Sequence, residues 1–461
     1  MYNMTNELIL KEIFRQNKHW VNHGEFFADI KNITVKRDLF DEIKPFLEKR
    51  QILSIVGLRR VGKTVLLKQI IQARLQKVDP ESIFFLSFDQ ALLFGKIDLS
   101  DYLNAYLSKI APPKKRLWLF LDEIQYAENW QHIIKRYYDT EPRIKFIISG
   151  SSSLFLQKKS TESLAGRIYD FTLPVLSFKE YLELKGADLL LLEGLNACSL
   201  IPGDEVTQKE AREKFVNKYK GILGSQFEDY LKFGQFPEIV KEIDTNIKQK
   251  YLAESVYRKS VEYDIPQIFG VDKIDELKFL FQVLINEVGS IVEIQNIARE
   301  TQVNQATVKK YLEYFENSFL IHILYNFTKS FRKTKRGLKK VYLGSTNFFS
   351  AFHDYRDFVI SRQQIGFLAE NYCLSILKRV FDYTSFYRVR QKEIDFVATN
   401  DLLNKKQFRY FEVKYRSQLR NKDFSYAQKI TQENRARLQV ISQDQFRINK
   451  NYSIIPIWLL K

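Results

Sequence analysis

Residues 51–64, QILSIVGLRRVGKT, decide the fold of the first part of the chain. The apolar run 51–56 predicts a short buried strand, and the TVLLKQIIQARLQK stretch that follows the loop has helical periodicity. Gly57 and Gly62 flank the loop in between, and a side chain at either position would keep the backbone N–H groups from closing round a phosphate. A helix that begins near Lys63 also directs the positive end of its dipole at that phosphate. We therefore predict a phosphate-binding loop between a strand and a helix.

The polar residues of this loop predict a nucleoside triphosphate as the ligand rather than a generic anion. Lys63 is expected to bridge the β- and γ-phosphates, and Thr64 is expected to place its hydroxyl on Mg²⁺. ATP and Mg²⁺ are accordingly the predicted cofactors. The predicted nucleotide-binding residues are Gly57, Arg59, Arg60, Gly62, Lys63, Thr64, Val65 and Asp122.

Two adjacent carboxylates, Asp122 and Glu123, follow the apolar run LWLFL at 117–121. A continuous apolar run predicts a parallel strand that is buried on both faces, and ligands bind at the carboxyl ends of such strands. The pair lies about sixty residues after the phosphate-binding loop, which favours a Walker B pair. We expect Asp122 to complete the Mg²⁺ shell and Glu123 to orient and polarise the attacking water.

Two further residues are candidates for the same site. Ser149 follows the predicted strand 144–148, where its hydroxyl could sense the γ-phosphate or help to position water; a serine-rich turn is the other interpretation. Arg167 precedes a predicted strand at 168–173 and could stabilise transition-state charge in its own subunit or in a neighbouring one; a surface arginine at a strand entry is the alternative. With a strand at 83–88, these segments predict an α/β fold with a parallel sheet.

Five stretches of the chain resemble a widespread prokaryotic family of AAA-plus-type ATPases that carry a C-terminal domain similar to restriction endonucleases. They read GLRRVGKT, LFLDEIQ, FIISGSSS, SLAGRIYDFTLPVLSFKEYL and FEDYLKFGQFPEIV, and the resemblance extends over most of the chain from about residue 34. It implies the roles already given for Lys63, Thr64, Asp122, Glu123, Ser149 and Arg167. It does not imply a substrate.

The middle of the chain predicts a helical lid, with an irregular insertion at 186–215, followed by a winged helix. Three helical patterns start near residue 274, and the last two are joined by a short connector of helix-turn-helix length. Two β-type stretches then surround a basic turn at 329–337, which predicts the wing. The third helix is expected to bury Val308, Leu312 and Phe315 and to expose Gln305, Lys309 and Lys310. Such a module could bind DNA phosphates without reading sequence, or it could pack against protein.

The C-terminal part resembles the PD-(D/E)xK nuclease core. Glu370 lies in a helical pattern at 363–381, Asp395 lies in a β-type stretch, and Glu412 and Lys414 share one face of the next strand because side chains alternate. The three carboxylates are expected to bind Mg²⁺ against a phosphodiester, and Lys414 is expected to orient a water. The alternative is a domain that keeps this geometry only to bind nucleic acid and does not cut it. Ser345 and Thr346 stand where the family pattern leads us to expect an acid.

The composition leads to expectations about the cellular compartment and the binding partners. The 461 residues include 72 Lys and Arg against 55 Asp and Glu, a formal charge of +17 that favours a polyanionic partner, DNA above all. The two cysteines, Cys198 and Cys373, fit a reducing cytosol, and the chain has no apolar run of membrane-spanning length. We expect a cytoplasmic protein with no membrane partner. Assembly into a homo-oligomer and other protein partners are both compatible with the sequence.

The predicted domains are an N-terminal helical extension (1–34), a P-loop AAA-type ATPase core (35–178), a helical lid with its insertion (179–272), a winged helix (273–345) and a nuclease-like domain (346–461). The predicted function is a Mg²⁺-dependent ATPase whose nucleotide cycle drives or gates action on DNA. One alternative is a nucleotide-gated switch that controls protein assembly without nucleic acid. The other is an active metal-dependent nuclease that its ATPase domain regulates.

Overall fold

The computed structural model describes residues 6–22, 28, 30, 33, 35–91, 98–150, 164–328, 337–352 and 360–461. Two compact units make up the chain: Met1–Val175 with Asn317–Phe319, and Leu176–Glu316 with Leu320–Lys461. Residues 329–336 of the predicted wing turn and residues 151–153 of the serine-rich turn lie outside the described residues. The finer domain boundaries stay predictions.

The first unit contains the predicted parallel sheet. Its strands are β1 (Ile52–Val56), β2 (Ile83–Ser87), β3 (Leu117–Asp122), β4 (Ile144–Gly150) and β5 (Ile168–Thr172), in the spatial order β2-β3-β4-β1-β5. All four strand pairs are parallel. β1 to β4 are buried throughout, as their continuous apolar runs predict, whereas the edge strand β5 is partly exposed. The carboxyl ends of the five strands therefore lie along one edge of the sheet.

Helices accompany these strands in the first unit. They are α1 (Asn6–Gln16), α2 (Asp38–Leu47), α3 (Lys63–Leu75), α4 (Phe88–Ala91), α5 (Leu99–Lys109) and α6 (Trp130–Thr140). A core cluster of this unit joins strand residues such as Leu119 and Phe146 to Tyr106 and Trp130 of the helices. This core holds the carboxyl edge of the sheet in place.

The N-terminal segment covers the outer edge of β2 with side-chain amides. Asn17 accepts a hydrogen bond from Phe85 N through Oδ1 (2.7 Å) and donates one to Phe85 O through Nδ2 (2.8 Å). Gln16 likewise accepts from Ser87 N (2.7 Å) and donates to Ser87 O (3.3 Å). Two amides thus take the place of a neighbouring strand, which protects an edge that would otherwise be open to pairing.

Replacing Asn17 by Ala is expected to destabilise the first unit by about 2 kcal/mol, because it removes two hydrogen bonds from a buried strand edge. Urea denaturation of the full chain, with hydrogen exchange of peptides from β2, measures the effect. Asn296→Ala removes an exposed amide in the second unit and is the control. Equal protection of β2 in the Asn17 variant and the unmodified protein would contradict this interpretation.

The second unit is mostly helical in its first half. Its helices are α7 (Phe178–Lys185), α8 (Leu189–Cys198), α9 (Lys209–Phe233), α10 (Thr245–Tyr251), a π-helix (Leu252–Asp264), α11 (Ile265–Phe269), α12 (Ile274–Asn286), α13 (Ile294–Thr301), α14 (Gln305–Asn317), α15 (Asn347–Ala351), α16 (Arg362–Val380) and α17 (Ser425–Glu433). No helix among the described residues combines the length and the apolar content that a membrane crossing requires.

Helices α12 to α14 are accompanied by a small antiparallel sheet. Its strands are β6 (Ile291–Val292), β7 (Ile321–Tyr325) and β8 (Lys339–Leu343), with β8 in the centre. On α14 the predicted inward residues are buried and the predicted outward residues are exposed: Val308, Leu312 and Phe315 against Gln305, Lys309 and Lys310. The amphipathic pattern is confirmed, and the winged-helix identity stays a prediction.

A six-stranded mixed sheet forms the C-terminal part of the second unit. Its strands are β9 (Tyr383–Val389), β10 (Lys392–Thr399), β11 (Arg409–Lys414), β12 (Leu438–Ser442), β13 (Arg447–Ile448) and β14 (Tyr452–Pro456), in the order β13-β14-β12-β11-β10-β9. β10 and β11 are antiparallel neighbours, with Phe396 opposite Phe411. β11, β12 and β14 run parallel.

The insertion at 186–215 packs on this C-terminal sheet. Leu200 forms an isolated β-bridge with Leu460, and Gly203 N donates to Gln439 Oε1 (2.9 Å). Arg212 is buried and its Nε donates to Cys198 O (3.0 Å). These contacts give the insertion a structural role. Cys198 and Cys373 are both buried and free.

Candidate functional site

The loop between β1 and α3 has the backbone conformation that its glycines predict. Gly57 has φ 153° and Gly62 has φ 98°, both in the region that side chains disfavour. A Cβ on Gly57 would lie 2.3 Å from Leu173 O, so no larger residue fits there. Arg60, between the two glycines, has φ 67°. The loop is therefore tightly wound ahead of the N-terminus of α3, the geometry that a phosphate site requires.

Lys63 is buried and points into this loop. Its Nζ donates to Leu58 O (3.1 Å) and Gly57 O (3.3 Å) and lies 3.7 Å from Glu123 Oε1. These partners hold the ammonium group between the loop backbone and the carboxyl edge of the sheet. A triphosphate in the loop would meet this charge directly.

Asp122 ends β3 and joins three elements at one point. Its Oδ2 accepts from Thr64 Oγ1 of α3 (2.7 Å), and its Oδ1 accepts from Ser149 Oγ of β4. Burial, and then the charge of Glu123, raise the pKa of Asp122 to about 6. One carboxylate and one hydroxyl fit Mg²⁺, which takes its remaining ligands from phosphates and water. The predicted neighbours Thr64, Asp122 and Ser149 are thus brought together.

Glu123 lies beside this group with a fixed orientation. Its backbone has φ 53°, its N–H donates to Ser149 Oγ (3.3 Å), and its Oε2 accepts from Gln125 Nε2 (2.5 Å). The carboxylate is only partly exposed and keeps one oxygen toward Lys63. Gln125 was not predicted as functional, although it lies inside the LFLDEIQ stretch. Its amide holds the carboxylate that we expect to act on water.

Arg167 lies at the other edge of the sheet. Residue 168 pairs with Ile52 at the amino end of β1, whereas the phosphate-binding loop follows the carboxyl end of β1, about 15 Å away. The guanidinium pairs with Asp139, with Nε 3.0 Å from Oδ1. Arg167 therefore does not reach the phosphates of its own subunit, and that part of the prediction is wrong. A role toward a neighbouring subunit stays a prediction.

Arg59, Arg60 and Val65 lie in the loop and in the first turn of α3, as their sequence positions require. Arg60 is exposed, and Val65 is half-buried. Their contact with a nucleotide stays a prediction.

The second candidate site lies on the C-terminal sheet, where Asp395, Glu412 and Lys414 converge. Lys414 Nζ lies 2.6 Å from Glu412 Oε1 and 3.6 Å from Asp395 Oδ2. Asp395 Oδ2 also accepts from Val413 N (2.8 Å). The order of motifs in the sequence therefore identified residues that meet in space.

Glu370 of α16 completes this cluster together with residues that the sequence analysis missed. Its Oε1 accepts from Tyr342 OH (2.7 Å) and lies 3.7 Å from Lys340 Nζ, both on β8. Lys340 also pairs with Glu393, which has Arg388 Nη1 3.3 Å from its other oxygen. Since β8 belongs to a different sheet, no local pattern near Glu370 marks Lys340.

The cluster does not match the predicted metal site at Glu370, Asp395 and Glu412. Within the described ranges, no group of three or more His, Cys, Asp or Glu residues is arranged to hold a metal ion. Lysines pair with the carboxylates instead, and burial raises the pKa of Glu370 to about 7 and that of Glu412 to about 8, with Asp395 adding to both shifts. The donor set therefore fits ion pairing better than a divalent ion.

Ser345 and Thr346, at the position where an acid was expected, have structural partners. Ser345 Oγ donates to Gln235 Oε1 (2.7 Å), and Thr346 Oγ1 donates to Leu231 O (2.6 Å). Both side chains are buried. They tie the start of α15 to the end of α9 and have no contact that suggests chemistry.

Comparisons with known proteins find an AAA domain in the part of the chain that contains the first site. Residues 49–182 match the model of an AAA domain, and 224–354 and 365–460 match two domains of unknown function, DUF8612 and DUF4143. The uncharacterized protein MJ1544 of Methanocaldococcus jannaschii is 30% identical over 375 residues, which are 79% of this chain and 74% of the relative. The uncharacterized protein MJ1637 of the same organism is 25% identical over 315 residues, 66% of this chain and 63% of its own length.

Among solved structures, the Aeropyrum pernix ORC1 protein in complex with DNA matches 74% of this chain and 92% of its own, at 12% identity and a TM-score of 0.28. The AAA-domain match coincides with the sheet and the loop described above, and the similarity to MJ1544 extends over most of both proteins. The chain therefore belongs to the same family as MJ1544, and its residues 49–182 form an AAA-type ATPase domain.

Proposed function

We propose that the protein is a Mg²⁺-dependent ATPase whose nucleotide cycle gates the binding of DNA by its second unit. The observation that carries the ATPase part is the meeting of Lys63, Thr64, Asp122 and Glu123 at the carboxyl edge of a parallel sheet. The AAA-domain match supports the same reading.

The proposed chemistry is hydrolysis at the γ-phosphate. Thr64 and Asp122 would hold Mg²⁺, which would supply positive charge to offset that of the triphosphate. Lys63 would orient the same phosphates. Glu123 would align the attacking water and take its proton as the new oxygen–phosphorus bond forms and the bond to the β-phosphate oxygen breaks. The Ser149 hydroxyl donates to Asp122 Oδ1 and accepts from Glu123 N. It would therefore connect the residue that holds Mg²⁺ to the residue that aligns the water.

Charge and exposure support DNA as the partner. The formal charge of the chain is +17, and Gln305, Lys309 and Lys310 form an exposed polar edge on α14. Contacts to phosphates would give affinity without sequence readout and a steep dependence on salt. We do not propose that the protein cleaves DNA, because Lys414 and Lys340 form ion pairs with the carboxylates of the C-terminal cluster.

Two assays with the purified full chain test both parts. We expect ATP hydrolysis with Mg²⁺ that EDTA abolishes. In mobility-shift assays with duplex DNA, we expect binding at about 50 mM salt that is largely lost at about 200 mM, and an affinity that changes when a non-hydrolysable ATP analogue is added. No hydrolysis with Mg²⁺ would sink the ATPase proposal. No retention of DNA at low salt would favour the switch that controls protein assembly.

A further inference from the structure

Arg37, a residue outside the predicted nucleotide site, joins the phosphate-binding loop to the end of the first unit. It directly precedes α2 and is 6% exposed. Its Nη1 donates to Val61 O (2.5 Å), and its Nη2 donates to Pro174 O (2.6 Å) and Val175 O (3.2 Å). One buried guanidinium thus bridges the loop and the last two residues before the chain enters the second unit at Leu176.

The hydrogen bond from Arg37 to Val61 O affects the part of the loop that would face a phosphate. Val61 C=O and Gly62 N–H belong to one planar trans peptide, so they point in opposite directions. By fixing the carbonyl, Arg37 fixes the direction of the Gly62 N–H, one of the loop donors that a phosphate would meet. A charged donor on the carbonyl also polarises this peptide and strengthens its N–H as a donor.

The segment 173–175 contacts the loop a second time at its other end. Leu173 N donates to Val56 O (2.7 Å), and Leu173 O lies where a Cβ on Gly57 would have to be. The loop is therefore held against this segment at Gly57 directly and at Val61 through Arg37. A change in the shape of the loop on nucleotide binding would act on residues 173–175 at both points.

We propose that Arg37 is a positioning residue of the ATPase, which presents the Gly62 N–H to the phosphates and couples the loop to residues 174–175. This proposal rests on the proposed ATPase function. Arg37 would act through the loop backbone without touching the nucleotide. Its guanidinium suits this task because five donors in a rigid fork can serve several carbonyls at once.

Arg37→Met and Arg37→Lys in the full chain test the proposal. Methionine keeps the buried volume and removes all donors, whereas lysine keeps the charge and loses the fork. We expect Arg37→Met to raise the KM for ATP about tenfold, with a smaller change in kcat, because one charged hydrogen bond orients the loop donor. We expect Arg37→Lys to lie between this variant and the unmodified protein.

Arg212→Met is the matched control. Arg212 is 7% exposed and also donates to backbone carbonyls, but it lies in the insertion of the second unit. We expect a similar loss of thermal stability in both methionine variants and a change of KM only in Arg37→Met. An equal KM in the two variants would reduce Arg37 to a structural tie and overturn the proposal.

The change in hydrogen exchange that nucleotide causes at residues 172–180 gives a readout that a loss of stability alone would not abolish. In the unmodified protein, a non-hydrolysable ATP analogue is expected to change the exchange of these amides, and in Arg37→Met the change is expected to be lost at saturating analogue. A response that persists in Arg37→Met would overturn the coupling. If Arg37→Met does not fold, the same comparison is made with Arg37→Lys. An unmodified protein without ATPase activity would instead contradict the proposed function itself.

Discussion

Replacing Glu123 by Gln is expected to lower kcat for ATP by about 10³-fold while ATP still binds. The amide keeps the shape of the side chain but cannot take a proton from water, and a positioned general base contributes about 10²–10⁴-fold to a rate. Binding should persist because Lys63 and the loop backbone would contact the phosphates, whereas Glu123 would contact only the water. Steady-state hydrolysis and calorimetry with a non-hydrolysable analogue measure the two effects separately.

Two other variants serve as controls for this experiment. Glu141→Gln changes a carboxylate before the amino end of β4, at the opposite edge of the sheet, and should leave both binding and kcat unchanged. Lys63→Ala should lose binding itself, since it removes the buried ammonium group of the loop. If Glu123→Gln hydrolyses ATP at the rate of the unmodified protein, the water is activated by another group and the assignment of Glu123 is wrong.

The sequence predicted the first unit well because its signals are local. Each buried strand is a continuous apolar run, and the loop glycines stand beside the strand and helix that they connect, so position along the chain also gives position in space. The carboxyl edge of the parallel sheet is where four predicted site residues lie: Lys63, Thr64, Asp122 and Glu123.

Arg167 shows where local signals fail in the same unit. The strand after it was predicted correctly, but its sequence does not state that β5 lies beside β1 and runs parallel to it. That pairing places the residue before β5 at the far edge of the sheet. Asn17 and Arg37 were missed for a related reason, since each acts on backbone groups that are distant in sequence, and no residue pattern near them reports this.

In the second unit, a residue from another sheet takes part in the predicted carboxylate cluster. The order of Glu370, Asp395, Glu412 and Lys414 predicted residues that meet, because α16, β10 and β11 are neighbours in the fold. It did not predict Lys340, which reaches Glu370 and Glu393 from the centre of the three-stranded sheet. A metal site was expected from the carboxylates alone, and a buried lysine changes the charge that those carboxylates present.

Replacing Lys340 by Met is expected to destabilise the second unit by about 3–5 kcal/mol, the cost typical of removing one partner from a buried ion pair. Lys340 is 5% exposed and carries the cation closest to Glu370. In its absence Glu370 would keep the hydroxyl of Tyr342, and Glu393 would keep Arg388. Neither partner supplies the missing charge at Glu370, so that group would stay buried either as an unpaired carboxylate or as a carboxylic acid that has had to take up a proton.

Hydrogen exchange of peptides from α16 and β10, in increasing urea, isolates this effect from the first unit. Lys429→Met is the control, because Lys429 is largely exposed and its ion pair with Glu433 is long, at 4.0 Å. We expect this substitution to change stability by less than about 0.5 kcal/mol. The double variant Lys340→Met with Glu370→Gln should recover much of the loss, since the carboxylate that lacks a partner is then gone. A Lys340→Met protein as stable as the Lys429 control would mean that water or another cation already compensates Glu370, and the cluster would then be an open cation site after all.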